Sequence, residues 1–201
     1  MRKLLGATVL ALAATGFATG FATVALAQDG TTAPDGPGPN LVLEIGGTTS
    51  GKVVIDLLPD VAPQHVERIT QLANEHAYDD VVFHRVIEGF MAQTGDVQFG
   101  KRGGDLSMAG MGGSKYGDLP AEFSNRSFTR GMVGMARSAD PNSANSQFFI
   151  MFDAAPHLDG QYTIVGHVVE GMDVVDQIKK GAAQQNGLVA DPDYIVHATI
   201  E

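Results

Sequence analysis

The pattern of hydrophobic and polar positions divides residues 41–200 into short apolar segments separated by turns. Most segments are rich in Val, Ile and Phe and are bounded by Gly, Asn, Asp or Ser, which is typical of β-strands. The pattern predicts eight strands, over residues 41–45, 52–57, 81–87, 90–93, 131–137, 147–151, 162–169 and 194–200.

Two other segments follow a helical repeat. Residues 63–75 begin with Pro63, which suits a first helical turn. They place apolar side chains on one face at spacings of three and four, at Val66, Ile69, Leu72 and Ala73. Residues 173–180 form a second, shorter helix. Because the strands are joined by hairpin-type connections, we predict a mainly β fold: a closed eight-stranded antiparallel β-barrel capped by two α-helices.

The N-terminal part of the chain has a different composition. Two basic residues precede an uncharged, Ala-rich apolar run over residues 4–24, and a small-residue Ala-Leu-Ala site ends at Ala27. These features predict a secretory signal peptide over residues 1–27, with an uncleaved membrane anchor as the alternative. A Pro/Gly-rich linker over residues 28–40 then leads to one folded domain over residues 41–201. We expect a bacterial periplasmic protein, with secretion less favoured.

Charge and cysteine content exclude several classes of function. The net charge is −10, and loss of Arg2 and Lys3 with the signal peptide makes it −12. Such an acidic chain is not expected to bind nucleic acid or anionic membranes, or to stay inserted in a membrane after cleavage. The absence of Cys excludes disulfides, thiolate catalysis and Cys metal sites. We expect a monomer.

Two familiar site motifs are incomplete. Residues 46–52 fit G-x-x-x-x-G-K, most of a phosphate-binding loop, but Val53 replaces the Ser/Thr that would hold Mg²⁺. A strand follows in place of a helix, so a glycine-rich hairpin turn is the better interpretation. None of the six His forms H-x-x-x-H or H-E-x-x-H, and we predict neither a metal site nor a cofactor.

The most unusual stretch is residues 81–96, V-V-F-H-R-V-I-E-G-F-M-A-Q-T-G-D. It places Arg85 in strand surroundings, close to an apolar Phe90-Met91 pair and the amide of Gln93. This combination predicts a surface that binds something both apolar and rich in carbonyl groups. A long glycine-rich loop over residues 97–119 follows, and loops of this length are usually functional or mobile.

Three motifs in order resemble the cyclophilin family of peptidyl-prolyl cis–trans isomerases. They are F-H-R-V-I-x-G-F-M-x-Q-x-G-D over residues 83–96, N-S-Q-F-F-I over residues 145–150, and L-D-G over residues 158–160. The similarity extends over about residues 41–200. It implies the same eight-stranded barrel with two helices and an enzyme that rotates X–Pro bonds without a cofactor or covalent intermediate.

The resemblance also implies roles for individual residues. Arg85 takes the position of the catalytic arginine. The residues that correspond to the proline pocket are Phe90, Met91, Phe149 and Leu158. Other substrate contacts correspond to the amides Gln93 and Gln147, the peptide-pairing segment Ala136 and Arg137, and Gly110 beside a secondary pocket. Proline-containing, exported polypeptides are the expected partners, and a non-catalytic peptide-binding or chaperone module on the same scaffold is the alternative.

Three features depart from the family pattern. Tyr162 stands where many relatives have His, which keeps a ring and a donor. His157 stands where the family often has a Trp that supports cyclosporin binding, so we expect weak cyclosporin binding. The loop over residues 97–116 is several residues longer than in short family members, which affects contacts on that side of the substrate.

Overall fold

The computed structural model describes residues 34–201. The predicted signal peptide and the first part of the predicted linker lie outside the described residues. The strands are β1 Asn40–Gly46, β2 Gly51–Leu57, β3 Arg85–Ile87, β4 Met91–Thr94, β5 Met132–Met135, β6 Phe148–Met151, β7 Ile164–Glu170 and β8 Tyr194–Ile200. The helices are α1 Pro63–Asn74 and α2 Met172–Gln177, with short 3₁₀ turns at Leu106–Met108, Pro156–Leu158 and Ala183–Gln185.

The strands form one antiparallel sheet in the order β3-β4-β6-β5-β7-β2-β1-β8. The predictions of a mainly β fold and of two helices are therefore confirmed. The predicted closed barrel is wrong, because β3 and β8 lie at opposite ends of the sheet and do not pair as strands. The sheet is an open half-barrel.

β3 and β8 do not pair because another segment of the chain occupies the free edge of β3. The backbone N–H of Val86 donates to the carbonyl of Gly187 at 2.8 Å, so the segment after α2 occupies this edge. The start of β8 instead meets the chain before β3: Asp80 N donates to Ile195 O at 2.7 Å and Phe83 N to Asp193 O at 2.8 Å. The predicted strand over residues 81–87 consequently begins only at Arg85.

The sheet separates two apolar clusters. The larger one contains alternate residues of β1 and β2 and the apolar face of α1, including Leu41, Leu43, Ile45, Val53, Ile55, Leu57, Val66, Ile69 and Leu72. The smaller one lies on the other side of β4, β5 and β6 and contains Met91, Phe128, Phe149 and Leu158. Successive strand residues face opposite sides, so Phe148 packs in the larger cluster and Phe149 in the smaller. Full burial of each such side chain contributes about 1.5–3 kcal/mol.

The stretch over residues 46–52 is a hairpin turn, as predicted, and joins antiparallel strands β1 and β2. The backbone N–H groups of Thr48 and Thr49 donate to Oδ1 of the buried Asp193, at 2.6 and 3.1 Å. The other oxygen of Asp193 accepts from Lys179 N at 2.8 Å. These N–H groups are therefore already bound to a carboxylate of the chain itself.

Residues 34–39 contain no helix or strand and run along β2. Gly36 N donates to Asp56 Oδ2 at 3.1 Å, and Leu57 N donates to Pro39 O at 3.0 Å. Within residues 34–201, no helix is both long and apolar enough to cross a membrane.

Candidate active site

The hairpin of β3 and β4 holds the unusual Arg85. Arg85 is directly opposite Gln93 and Ile87 is opposite Met91, with Gly89 in the left-handed region at the turn (φ 68°). Cross-strand partners point to the same face of a sheet. The hairpin register therefore places a guanidinium, a thioether and an amide side by side.

Hydrogen bonds fix the Arg85 guanidinium at two edges. Nε and Nη2 donate to the backbone carbonyl and side-chain oxygen of Asn186, each at 3.0 Å. Nη1 donates to Gln93 Oε1 at 3.2 Å and lies 3.8 Å from Met91 Sδ. Partial burial lowers the pKa of Arg85 and Tyr162 opposes that change. A guanidinium nevertheless keeps its proton throughout the range in which proteins fold.

A small cavity of about 180 Å³ opens next to this guanidinium. Its nine lining residues were all predicted as site residues: Arg85, Phe90, Met91, Gln93, Ala136, Arg137, Phe149, Leu158 and Tyr162. The Phe149 ring stands edge-on to Tyr162, with 5.8 Å between ring centroids, and stacks on Phe128 at 5.7 Å. These packed rings form an apolar floor beside the guanidinium.

Gly134 makes room for that floor. It lies opposite Phe149 in the pairing of β5 with β6. A Cβ atom at this position would lie 2.6 Å from the Phe149 ring and 2.7 Å from the Phe128 ring. The absence of a side chain at Gly134 allows these two aromatic rings to approach the strand closely.

A chain of amides connects Arg85 to the glycine-rich loop. Gln93 Nε2 donates to Gln147 Oε1 at 3.0 Å. Gln147 Nε2 donates in turn to the carbonyls of Gly110 and Gly112, at 3.0 and 2.8 Å. Gln147 and Gly110 therefore lie next to the first cavity and line a neighbouring cavity of about 600 Å³.

Asp96 holds the loop in place. Its buried carboxylate accepts four backbone hydrogen bonds: Oδ1 from Gln98 and Phe99 at 3.1 and 2.9 Å, and Oδ2 from Gly110 and Gly112 at 2.7 and 3.0 Å. Charge-assisted bonds of this kind are stronger than neutral ones. The carbonyls that bind Gln147 are thus positioned by the residue that ends the central motif.

Gly110 must be a glycine for two reasons. Its φ is 95°, a conformation that L side chains rarely adopt, and a Cβ would lie 3.1 Å from the His84 ring. Burial lowers the pKa of His84, while the Asp96 carboxylate opposes this effect. The loop therefore rests on a buried imidazole that favours the neutral form.

The remaining predicted residue, His157, lies at the rim. Its ring stacks on Phe90 with 5.8 Å between centroids and 27° between planes. Nearby, the Arg137 guanidinium lies 4.3 Å above the Tyr162 ring and donates from Nη2 to Gln161 O at 2.8 Å. The Arg137 side chain is therefore held at the rim, and the residue lines both cavities.

Sequence reasoning missed three residues that shape the site. Asn186 binds Arg85 from a left-handed position (φ 54°), for which the Asn-Gly pair at 186–187 is a recognisable turn signal. Asp96 ends the central motif, but nothing in its spacing indicates four bonds to a loop. Phe128 supports Phe149 from a segment with no strand pattern.

Residues 41–200 match the family model described as "Cyclophilin type peptidyl-prolyl cis-trans isomerase/CLD". The chain belongs to the cyclophilin family. Among its curated relatives is a "Probable peptidyl-prolyl cis-trans isomerase" of Brucella suis, 63% identical over 153 residues, which covers 75% of this chain and 78% of the relative. "Peptidyl-prolyl cis-trans isomerase-like 3" of Homo sapiens is 36% identical over 133 residues, 66% of this chain and 79% of that protein.

Solved structures agree with this assignment. A cyclophilin from Hirschia baltica superposes with a TM-score of 0.65 at 26% identity, covering 82% of this chain and 74% of that one. A Cryptosporidium parvum cyclophilin-type isomerase, crystallised in the presence of the dipeptide Ala-Pro, has a TM-score of 0.68 at 24% identity, covering 81% and 98%. The second likeness supports the fold alone.

The role of Asp96 can be tested by Asp96→Asn. An amide has one acceptor oxygen, so two backbone N–H groups lose their partner and face an NH₂ group instead. We expect the free energy of unfolding to fall by about 2–3 kcal/mol in urea titrations. In the same loop, Asp105 is exposed and accepts from Ser107 N at 2.9 Å, within its own short turn. Asp105→Asn should change stability little; equal effects of both substitutions would contradict the role given to Asp96.

Proposed function

We propose that this cyclophilin accelerates cis–trans rotation of X–Pro bonds in proline-containing polypeptides, with neither cofactor nor covalent intermediate. The observation that supports it best is the Arg85 guanidinium, held by Asn186 and Gln93 at the edge of a small cavity with an apolar floor. The family to which the chain belongs, and the names of its relatives, support the same activity.

The reaction needs stabilisation of a twisted amide and no nucleophile. The planar amide has a rotation barrier of about 18–20 kcal/mol because its C–N bond has partial double-bond character. Uncatalysed rotation at proline consequently takes tens of seconds or longer. As the bond twists, the proline nitrogen becomes pyramidal and regains a basic lone pair. A hydrogen-bond donor placed at that nitrogen stabilises the twisted state more than the planar one.

Arg85 is suited to be that donor. Three of its N–H groups bind Asn186 and Gln93, so the guanidinium plane is fixed. Within residues 34–201, the second hydrogen on Nη2 has no hydrogen-bond acceptor. Because the guanidinium does not lose its proton, it donates without acting as an acid. A preorganised charged donor in a water-poor site contributes about 3–4 kcal/mol, which is about 10²–10³ in rate.

The apolar floor supplies the rest of the mechanism. Phe90, Met91, Phe149 and Leu158 would hold the proline ring while the preceding carbonyl rotates, and Tyr162 would close the side of the cavity. Excluding water there strengthens the Arg85 hydrogen bond, since charges interact more strongly in a medium of low dielectric constant. The backbone of Ala136 and Arg137 would pair with the peptide, and the cavity beside Gln147 and Gly110 would receive a neighbouring side chain.

We further propose that the enzyme acts on exported polypeptides in the periplasm, as a monomer without nucleic-acid partners. The charge pattern over residues 1–27 supports export with cleavage after Ala27, followed by the linker over residues 28–40 and the isomerase domain over residues 41–201. The net charge of −10 supports the absence of nucleic-acid partners.

Arg85→Ala tests the catalytic role. We expect kcat/KM for a Pro-containing peptide, in a protease-coupled assay, to fall roughly 10²–10³-fold. Arg85→Lys should restore little, because an ammonium lacks the planar fork that reaches Asn186 and Gln93 together. Arg126→Ala is a matched control, since Arg126 is exposed and lies outside both site cavities. If wild type and Arg85→Ala were equally inactive while still binding the peptide, the protein would be a non-catalytic binding module.

His157 generates a prediction about inhibition. The imidazole covers less apolar surface than the indole that often occupies this position in the family, so we expect cyclosporin to inhibit weakly while turnover remains intact. His157→Trp should enlarge the surface stacked on Phe90 and tighten inhibition by at least roughly tenfold. Tight stoichiometric inhibition of the wild type, measured by titration at fixed substrate, would contradict this account.

A further inference from the structure

A second group of chemically active side chains lies where α1 ends against β8. His76 and Asp79 belong to the turn that follows α1, and His197 lies within β8. His76 Nδ1 is 3.3 Å and His197 Nδ1 2.8 Å from the same Asp79 carboxylate oxygen, Oδ2. None of the three residues lines the active-site cavities. The mechanism proposed above does not use them.

The three side chains are arranged as a chelating set. One ligand atom from each lies within 4.8 Å of the other two. The imidazole rings stack with 5.2 Å between centroids and only 16° between planes, so both Nδ1 atoms face the carboxylate from one side. Around a tetrahedral Zn²⁺ with bonds of about 2.0–2.1 Å, ligand atoms lie roughly 3.3–3.5 Å apart. Small rotations of the side chains would therefore suffice to enclose an ion.

A backbone hydrogen bond fixes the orientation of the Asp79 carboxylate. Its other oxygen, Oδ1, accepts from the backbone N–H of Ala198 at 3.1 Å. This bond ties the turn after α1 to β8 and orients Oδ2 towards the two imidazoles. A ligand carboxylate that is itself hydrogen-bonded is the usual arrangement at protein metal sites.

The backbone at His76 provides an independent indication. His76 directly follows Glu75, the C-terminal cap of α1, and adopts a left-handed conformation with φ 57°. Glycine is the residue preferred at this position, because a side chain in the left-handed region costs about 1 kcal/mol. Asp80, on the other side of Asp79, is also left-handed (φ 60°). Strained non-glycine residues of this kind cluster at functional sites.

The two imidazoles of the set are accessible to solvent. The ammonium of Lys101 donates to the backbone carbonyls of Ala77 and Asp79. The His76 and His197 side chains are 63% and 44% exposed, which leaves room for water as a further ligand.

We propose that His76, Asp79 and His197 bind one divalent transition-metal ion of the Zn²⁺ or Ni²⁺ type. Imidazole nitrogens combined with a single carboxylate suit these ions, whereas Mg²⁺ and Ca²⁺ prefer sets made of oxygen atoms only. The bound ion joins the end of α1 to β8, next to the chain segment that leads into Arg85. Metal binding therefore stabilises the contact between the segment before β3 and the start of β8.

The test uses the full, untagged chain, freed of metal with a chelator and titrated with Zn²⁺ by isothermal calorimetry. We expect one ion per chain. We also expect the melting temperature to rise by roughly 5–10 °C at a hundredfold excess over Kd. Mg²⁺ at the same concentration should have no such effect.

Two variants identify the ligands. His76→Gly keeps the left-handed position favourable, so the metal-free variant should melt at or above the wild-type temperature, yet bind Zn²⁺ at least roughly tenfold more weakly. His197→Ala should weaken binding similarly, whereas His157→Ala, which removes a histidine elsewhere, should retain it. Failure of the wild type to bind Zn²⁺, or unchanged binding in both His76→Gly and His197→Ala, would overturn the proposal.

Discussion

The site depends on the register of the β3–β4 hairpin. Placing Arg85 directly opposite Gln93 makes the guanidinium and the amide neighbours. A shift of one residue would move Arg85 to the other face of the sheet, among the side chains of the larger core. Burying an unpaired guanidinium there would cost several kcal/mol. The same hydrophobic pattern that folds the sheet therefore also selects the face on which the charge is presented.

A series of hydrogen bonds connects this pair to the glycine-rich loop. Gln93 binds Gln147, Gln147 binds two loop carbonyls, and Asp96 fixes the N–H groups of the same two glycines. A long glycine-rich loop has a high conformational entropy when unfolded, so it needs such anchors to keep one shape. One hydrogen-bond network therefore connects the residues that line the Arg85 cavity with those that line the cavity beside Gln147 and Gly110.

Local patterns predicted much of this protein, and long-range competition explains what they missed. All eight strands and both helices follow from apolar spacing, and the resemblance named every residue of the Arg85 cavity. The closed barrel was wrong because the segment at Gly187 takes the edge of β3, which no local pattern reveals. Sequence patterns also missed Asn186 and the cluster of His76, Asp79 and His197. Folding brings these positions to partners that are far away in sequence.

The pH dependence of catalysis tests the central claim most directly. If Arg85 acts as a fixed, always protonated donor, kcat/KM for a peptide without ionising side chains should be nearly constant between about pH 6.5 and 9, as measured by NMR exchange spectroscopy. A bell-shaped profile, or a steep change near the pKa of a histidine, would show that a proton is transferred in the reaction. That result would contradict electrostatic stabilisation by Arg85.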